Sequence, residues 1–320
     1  MRISILALDD LFDTGLTVLL DVLSLANKFA MRTMGGSPRF DVTVVGVRKR
    51  VRTGLGFTIP VKALGGSPKP DWVVVPALAA GTPAQLVPAL ARRDVRAATE
   101  QLRKWHAKGV RIAASCIGSF VLAEAGLLDG CEATTTWWLA PLFRERYPNV
   151  ALDETRMLVS SGKIMTAGAA MGHLDLALWL VRTASPELAS VVARYMLADI
   201  RSSQAPYIIP NHLARSDELV ARFERWSRDH LKSGFSLAKA ARALGTSTRT
   251  LQRRCEAVLG KSPLSYFQDL RVEHARSLLR SGQDIDAIAR QVGYRDGATV
   301  RVLLQKRLGR GVRELRSEIL

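Results

Sequence analysis

Cysteine is scarce in this sequence: three residues of 320, Cys116, Cys131 and Cys255, with no CxxC spacing among them. That excludes a disulfide framework and a zinc module built on cysteine pairs. The five histidines, His106, His173, His212, His230 and His274, fall in no ligand spacing either, so neither a metal nor a cofactor is expected. Long apolar runs are also missing. None reaches the roughly 18 residues of a membrane span, and the most apolar stretch, 167–181, is interrupted by His173 and Asp175. Asp9, Asp10 and Asp13 come too soon after the N-terminus for a secretory signal. With 48% hydrophobic and 23% charged residues, the composition is that of a soluble, globular protein expected in the cytoplasm, with no membrane partner.

Positive charge is what the chain has in excess, with a formal net charge of +17. From Arg215 onward there are 22 Lys/Arg against 12 Asp/Glu, and over the preceding 214 residues 24 against 17. The C-terminal third is therefore about three times as dense in net positive charge. Such a field attracts polyanions and speeds their capture.

The hydrophobic periodicity divides the chain in two. Strand-like runs at 3–8, 40–47, 72–76 and 110–114 alternate with helical ones at 16–30, 95–108 and 119–125. This alternation predicts a doubly wound parallel sheet covered on both faces, with ligand sites at the carboxyl ends of its strands. After about Arg194 the strand signal vanishes. The expected organisation is an α/β domain over 1–200, a polar linker with two prolines over 201–215, and an all-α domain over 216–320.

Within the helical part, Leu237, Ala240, Ala241 and Leu244 form one apolar stripe, Gly245 permits a tight turn, and Ser247 can cap the next helix. That helix places Leu251, Cys255 and Val258 on one side and Arg249, Gln252, Arg253 and Glu256 on the other. Helix, glycine turn and helix with Arg and Gln outward is the helix-turn-helix pattern. Arg and Gln suit major-groove reading, pairing with guanine and adenine by two bonds each. The pattern recurs: Ile285, Ile288, Ala289 and Val292, then Gly293, then Asp296 as cap, then Val300, Leu303, Leu304 and Leu308. Between the units, Ser262 and Pro263 open a long helix to about Arg280, with Leu264, Phe267, Leu270, His274, Leu278 and Leu279 along it. At 1.5 Å per residue it would span about 27 Å, near the roughly 34 Å between successive major grooves on one DNA face.

From about Phe235 to Leu315 the sequence resembles the AraC family. The resemblance rests on 244–254 (Leu-Gly-Thr-Ser-Thr-Arg-Thr-Leu-Gln-Arg-Arg), 260–266, 271–279, 288–294 and Asp296. It departs where Val300 and Leu304 replace the usual aromatics and Arg310, Gly311 and Val312 replace a Ser-Pro turn. The resemblance implies binding to double-stranded promoter DNA, with RNA polymerase as a further partner. Expected DNA contacts are Ser247, Thr248, Arg249, Gln252 and Arg253 in the first unit, and Arg295, Thr299, Arg301, Gln305 and Lys306 in the second. Because Gly297, Ala298, Thr299 and Val302 read bases poorly, the first unit is expected to carry most base readout and the second to hold phosphates.

Residues 111–120 read as strand, sharp turn and helix with Cys116 at the turn, the arrangement of a nucleophile elbow. A helix N-terminus there would lower the thiol pKa and supply oxyanion donors. A buried cysteine in a βα turn fits the same residues. The surrounding 115–130, 133–137 and 166–175 resemble the PfpI-type, class I glutamine-amidotransferase-like fold, which is flavodoxin-like, and more narrowly the GlxA-type regulators, in which that fold precedes an AraC domain. Enzymes of the fold use a histidine where Thr136 stands and an early glutamate whose place falls near Gly15. A thiol without base or acid is poorly equipped for turnover. The domain is therefore expected to hold a small-molecule effector, or a dimer interface for a homodimer, with Asp10, Cys116, Thr136 and Trp137 lining its site and no catalytic residue. Two alternatives stand: a cysteine-dependent amidase or deglycase-like enzyme fused to a DNA-binding tail, and a constitutive DNA-binding protein with a dimerisation scaffold.

Overall fold

The computed structural model describes residues 1–33, 39–64, 68–199, 201–209, 217–309 and 311–317. It divides into two compact units, Met1–Gln204 and Ala205–Leu320.

The first unit is built on a seven-stranded sheet. Its strands are β1 (Arg2–Ala7), β2 (Asp41–Gly46), β5 (Lys62–Ala63), β6 (Trp72–Val75), β7 (Arg111–Ser115), β10 (Leu158–Ser161) and β11 (Ile164–Ala167), while β3 (Arg50–Arg52) pairs with β4 (Thr58–Pro60) and β8 (Glu132–Ala133) with β9 (Ala151–Leu152) outside it. The spatial order is β10-β11-β7-β6-β1-β2-β5. Every neighbouring pair is parallel except the edge pair β10–β11, where Leu158 faces Ala167 across a hairpin turned by Gly162 at φ 57°. This edge hairpin departs from the all-parallel expectation because a two-residue turn can join only antiparallel strands.

Alternate side chains of the central strands enter opposite cores. Ile3, Ile5, Val74 and Ala113 pack under helices α1 (Asp13–Thr33), α6 (Gly172–Ala184) and α7 (Pro186–Tyr195). Leu6, Val73, Val75, Ile112 and Ala114 pack under α2 (Pro83–Leu90), α3 (Arg93–Ala107), α4 (Gly118–Glu124) and α5 (Ala140–Arg146). The sheet is doubly wound, as its uninterrupted Trp72–Val75 run implies. By length and composition, Asp13–Arg32 alone among the described helices is apolar enough to cross a membrane, which corrects the expectation that no stretch is. Here Leu19, Val22, Leu23 and Ala26 of that helix are fully buried against the sheet.

The expected linker is only partly one. Residues 201–204 lie within the first unit: Arg201 pairs with the buried Asp175 at 2.5 Å, Ser203 Oγ donates to Thr155 O, and Gln204 is fully buried. Residues 205–209 belong to the second unit, where Arg276 Nη1 donates to Pro206 O at 2.7 Å. Residues 210–215 lie outside the described residues.

The second unit is helical. Its helices are α8 (Glu218–Asp229), α9 (Leu237–Ala243), α10 (Thr248–Leu259), α11 (Pro263–Arg280), α12 (Ile285–Gln291), α13 (Gly297–Leu308) and α14 (Val312–Ser317). Side chains cap their starts: Asp217, Ser236, Ser247, Ser262, Asp284 and Asp296 each accept a backbone N–H of the first turn. Gly260 and Gly309, at φ 66° and 69°, close α10 and α13 in the left-handed region. In α10 the buried stripe is Leu251, Cys255 and Leu259, with Val258 only half-buried. In α11, Leu264 is exposed and Tyr266 takes its expected inward place, one residue before Phe267.

Arg271 on α11 is buried and ties the unit together. Its Nη2 donates to Leu231 O at 2.9 Å and to Gly293 O at 3.5 Å, and its guanidinium lies 4.8 Å from the Phe267 ring and 4.6 Å from the Tyr294 ring. A Cβ at Gly293 would collide with Leu231 O and Arg271 Nη2, whereas one at Gly282 would meet nothing, and both glycines have left-handed φ, 81° and 77°. Gly282→Ala should therefore cost only the conformational penalty, about 1–2 kcal/mol, and Gly293→Ala distinctly more, about 3 kcal/mol or above. Urea unfolding of the two variants measures the difference.

Candidate functional site

Cys116 occupies a true elbow. It follows β7, precedes α4 and has φ 56°, a conformation that non-glycine residues rarely adopt. Gly118 makes the turn possible, since a Cβ there would strike the carbonyl oxygens of Val75 and Pro76. The Cys116 N–H donates to Ala167 O at 2.8 Å. Its carbonyl oxygen lies 2.7 Å from Ser119 Oγ and accepts from Thr135 Oγ1 at 3.2 Å.

Burial opposes activation of the thiol by the helix N-terminus. Cys116 is buried, and burial pushes its pKa up to about 12; the Ile117 backbone N–H and the nearby Thr136 hydroxyl oppose this by less. The Thr136 hydroxyl is itself buried. Thr136 thus stands beside the sulfur. Trp137 follows it half-buried, edge-on to Trp138 at 5.6 Å. Asp10 does not join them: exposed, with φ 56°, it pairs with Arg92 at 2.6 Å, and Arg92 is also held by Asp94. A cavity of about 860 Å³ is an open groove along α1 and β2 lined by Asp21, Asn27, Lys28 and Met31 among others, and none of the four expected lining residues borders it.

Sequence reasoning missed two residues here. His173 is fully buried, and a Cβ on Gly15 would lie 2.7 Å from its Nε2, so the imidazole fills the space next to the position where related enzymes carry glutamate. Nε2 accepts the Ala77 N–H at 3.1 Å and Nδ1 lies 2.6 Å from Ala170 O, so both nitrogens are occupied by backbone. Burial lowers its pKa to about 4. Gln204 is the other. Its Nε2 donates to Thr135 O at 2.9 Å, Thr134 Oγ1 at 3.2 Å and Arg156 O at 3.3 Å. Only the polar composition of 201–215 marked it, and that composition reads as linker. Among the described residues, no three His, Cys, Asp or Glu converge as metal ligands.

In the second unit, Gly245 (φ 65°) turns between α9 and α10, and Gly293 (φ 81°) between α12 and α13. The expected contacts Ser247, Thr248, Arg249, Gln252 and Arg253 are all exposed, as are Arg295, Thr299, Arg301, Gln305 and Lys306. Ser247 Oγ is engaged as the cap of α10, Gln252 donates to Glu256 Oε1 at 2.9 Å, and Thr299 bonds the capping Asp296. Each unit therefore presents a helix with one face in the core and one free.

The DJ-1/PfpI family model matches residues 1–183. The chain belongs to the DJ-1/PfpI family. A helix-turn-helix domain model matches residues 240–318. Among curated relatives, the HTH-type transcriptional regulator CdhR of Pseudomonas aeruginosa is 30% identical over 194 residues, 58% of this chain and 56% of that protein. The HTH-type transcriptional regulator GlxA of Rhizobium meliloti is 30% identical over 211 residues, 63% of each. The chain thus matches little more than half the length of the first of these relatives. Two crystal structures share the fold of the first unit. An AraC family transcriptional regulator from Pseudomonas putida and a transcriptional regulator protein from Vibrio parahaemolyticus each have a TM-score of 0.51 at 22% identity, covering 61% of this chain and 98% of theirs.

Two outcomes follow from the buried site. Native alkylation at neutral pH should label the half-exposed Cys131 first and leave Cys116 and Cys255 unlabelled, burial having pushed both their pKa values up to about 12; peptide mass spectrometry reads this directly. His173 has a folded pKa below its ordinary 6.5, so its neutral form stabilises the fold above pH 6.5. That contribution, about 3 kcal/mol, should be lost as pH falls from 6.5 to about 4. Urea unfolding of His173→Gln should show a shallower loss over the same window.

Proposed function

We propose that the protein is a sequence-specific, DNA-binding regulator of transcription. The reading is carried by the two capped helices α10 and α13, each with its free face exposed: Arg249, Gln252 and Arg253 on one, Arg301, Gln305 and Lys306 on the other. Arg and Gln reach base edges by paired hydrogen bonds, and scattered cations hold phosphates. The net positive charge of this part favours the same partner. Double-stranded promoter DNA is the partner so inferred, with RNA polymerase beyond it and the cytoplasm as location. The names of the relatives support this reading.

The first unit we read as a sensor without turnover, acting as a homodimer. A protonated thiol, Thr136 beside it and a histidine bonded on both nitrogens leave no base to generate a nucleophile. A small effector at the elbow has a short route to the end of the unit. Thr135 Oγ1 donates to Cys116 O, and Thr135 O accepts from Gln204, the last residue of that unit.

Selection of bound DNA from random sequence should return a defined motif, and a protein without sequence preference would overturn the proposal. Arg253→Ala should weaken binding to that motif by about 1–3 kcal/mol and relax one base position. Amide or glyoxal turnover that disappears in Cys116→Ala would instead establish the enzymatic alternative.

A further inference from the structure

The two reading helices superpose in sequence at an offset of 49. Ser247 and Asp296 cap them, Gly260 and Gly309 close them, and the buried pairs Leu251/Val300 and Cys255/Leu304 keep the same spacing. At that offset Arg249 corresponds to Ala298 and Arg253 to Val302. Val302 therefore stands where the first helix carries Arg253. It is 66% exposed, and beyond residue 217 only Leu264 joins it among the described large apolar side chains that are exposed. Ala298, four residues earlier and on the same face, is exposed as well. Arg301, Gln305 and Lys306 surround this small apolar strip, all exposed.

An apolar strip within a cationic rim excludes a hydrogen-bonding role for the strip itself. In the major groove one base edge is apolar: the 5-methyl group of thymine, which pairs with side chains such as Ala and the methyl of Thr. We propose that Val302, with Ala298 a turn before it, reads thymine through its 5-methyl group, so that the second unit specifies sequence rather than only gripping phosphates. The inference rests on the DNA-binding reading above. It amends the expectation that the second helix is a clamp: where α10 carries Arg249 and Arg253, α13 carries Ala298 and a methyl reader.

The test uses the full chain and the motif returned by selection. Each thymine of the motif is replaced singly by deoxyuridine, which removes the methyl group and leaves every hydrogen-bonding edge unchanged. For the wild-type protein, one or two replacements should weaken binding about fourfold, the worth of one buried methyl. In Val302→Ala, binding to the thymine duplex should fall by a similar factor and the loss on deoxyuridine replacement should vanish at those positions. In Val302→Arg, preference at the same position should move toward guanine. Val302 is exposed, so neither variant threatens the fold. Wild-type binding indifferent to every methyl group would overturn the inference, as would methyl sensitivity that survives intact in Val302→Ala. Both results would leave the DNA-binding reading standing, whereas a selection that returns no motif would remove that reading first.

Discussion

The helical unit depends on the placement of one cation. Arg271 is buried on the central helix α11, and its partners are the carbonyl oxygens of Leu231 and Gly293 and the faces of Phe267 and Tyr294. Taking a guanidinium out of water is costly unless its donors and its charge are met. Two carbonyls and two ring faces meet them here, with cation–π attraction strengthened by the burial. The carbonyls come from the loop after α8 and from the turn that leads into α13. A single side chain thus fixes three segments that are distant in sequence, and Gly293 has no side chain because the space belongs to Arg271.

In the first unit, competition between burial and a helix terminus decides the chemistry. A rise of the Cys116 pKa from 9.0 to about 12 corresponds to about 4 kcal/mol against the thiolate. A helix terminus offers charge at most about 2 kcal/mol in favourable geometry, and α4 has only seven residues. Burial therefore wins. The backbone keeps the strained turn of a nucleophile elbow, while the side chain behaves as a small hydrophobe among Ile117, Phe120 and Ala114.

Features with a local period were legible in the sequence. The alternation of strands and helices, the two glycine turns and the cap residues Ser247 and Asp296 appear in the structure within three residues of their expected places. What escaped is non-local. Gly15 and His173 are 158 residues apart and meet only because α1 and α6 cover the same face of the sheet. Arg271 reads as an ordinary surface charge on a helix until Gly293 folds against it. Gln204 lies in a segment whose prolines and polar residues signal a linker, yet its amide finds three acceptors inside the first unit. Asp10 was expected at the elbow as an acid near the place of the early glutamate, but its exposed carboxylate pairs with Arg92.

The division of labour along α10 and α13 has an evolutionary consequence. Every residue that anchors these helices points inward or caps an end, while Arg249, Arg253, Ala298 and Val302 support nothing inside the protein. Substitutions at these four positions are nearly neutral for folding, since exposed helix positions away from caps change stability by only about half a kilocalorie per mole. In the DNA-binding reading proposed above, operator preference can therefore drift quickly, one half-site at a time, without passing through unstable intermediates. On that reading, paralogues sharing this scaffold diverge in the genes they control well before they diverge in architecture.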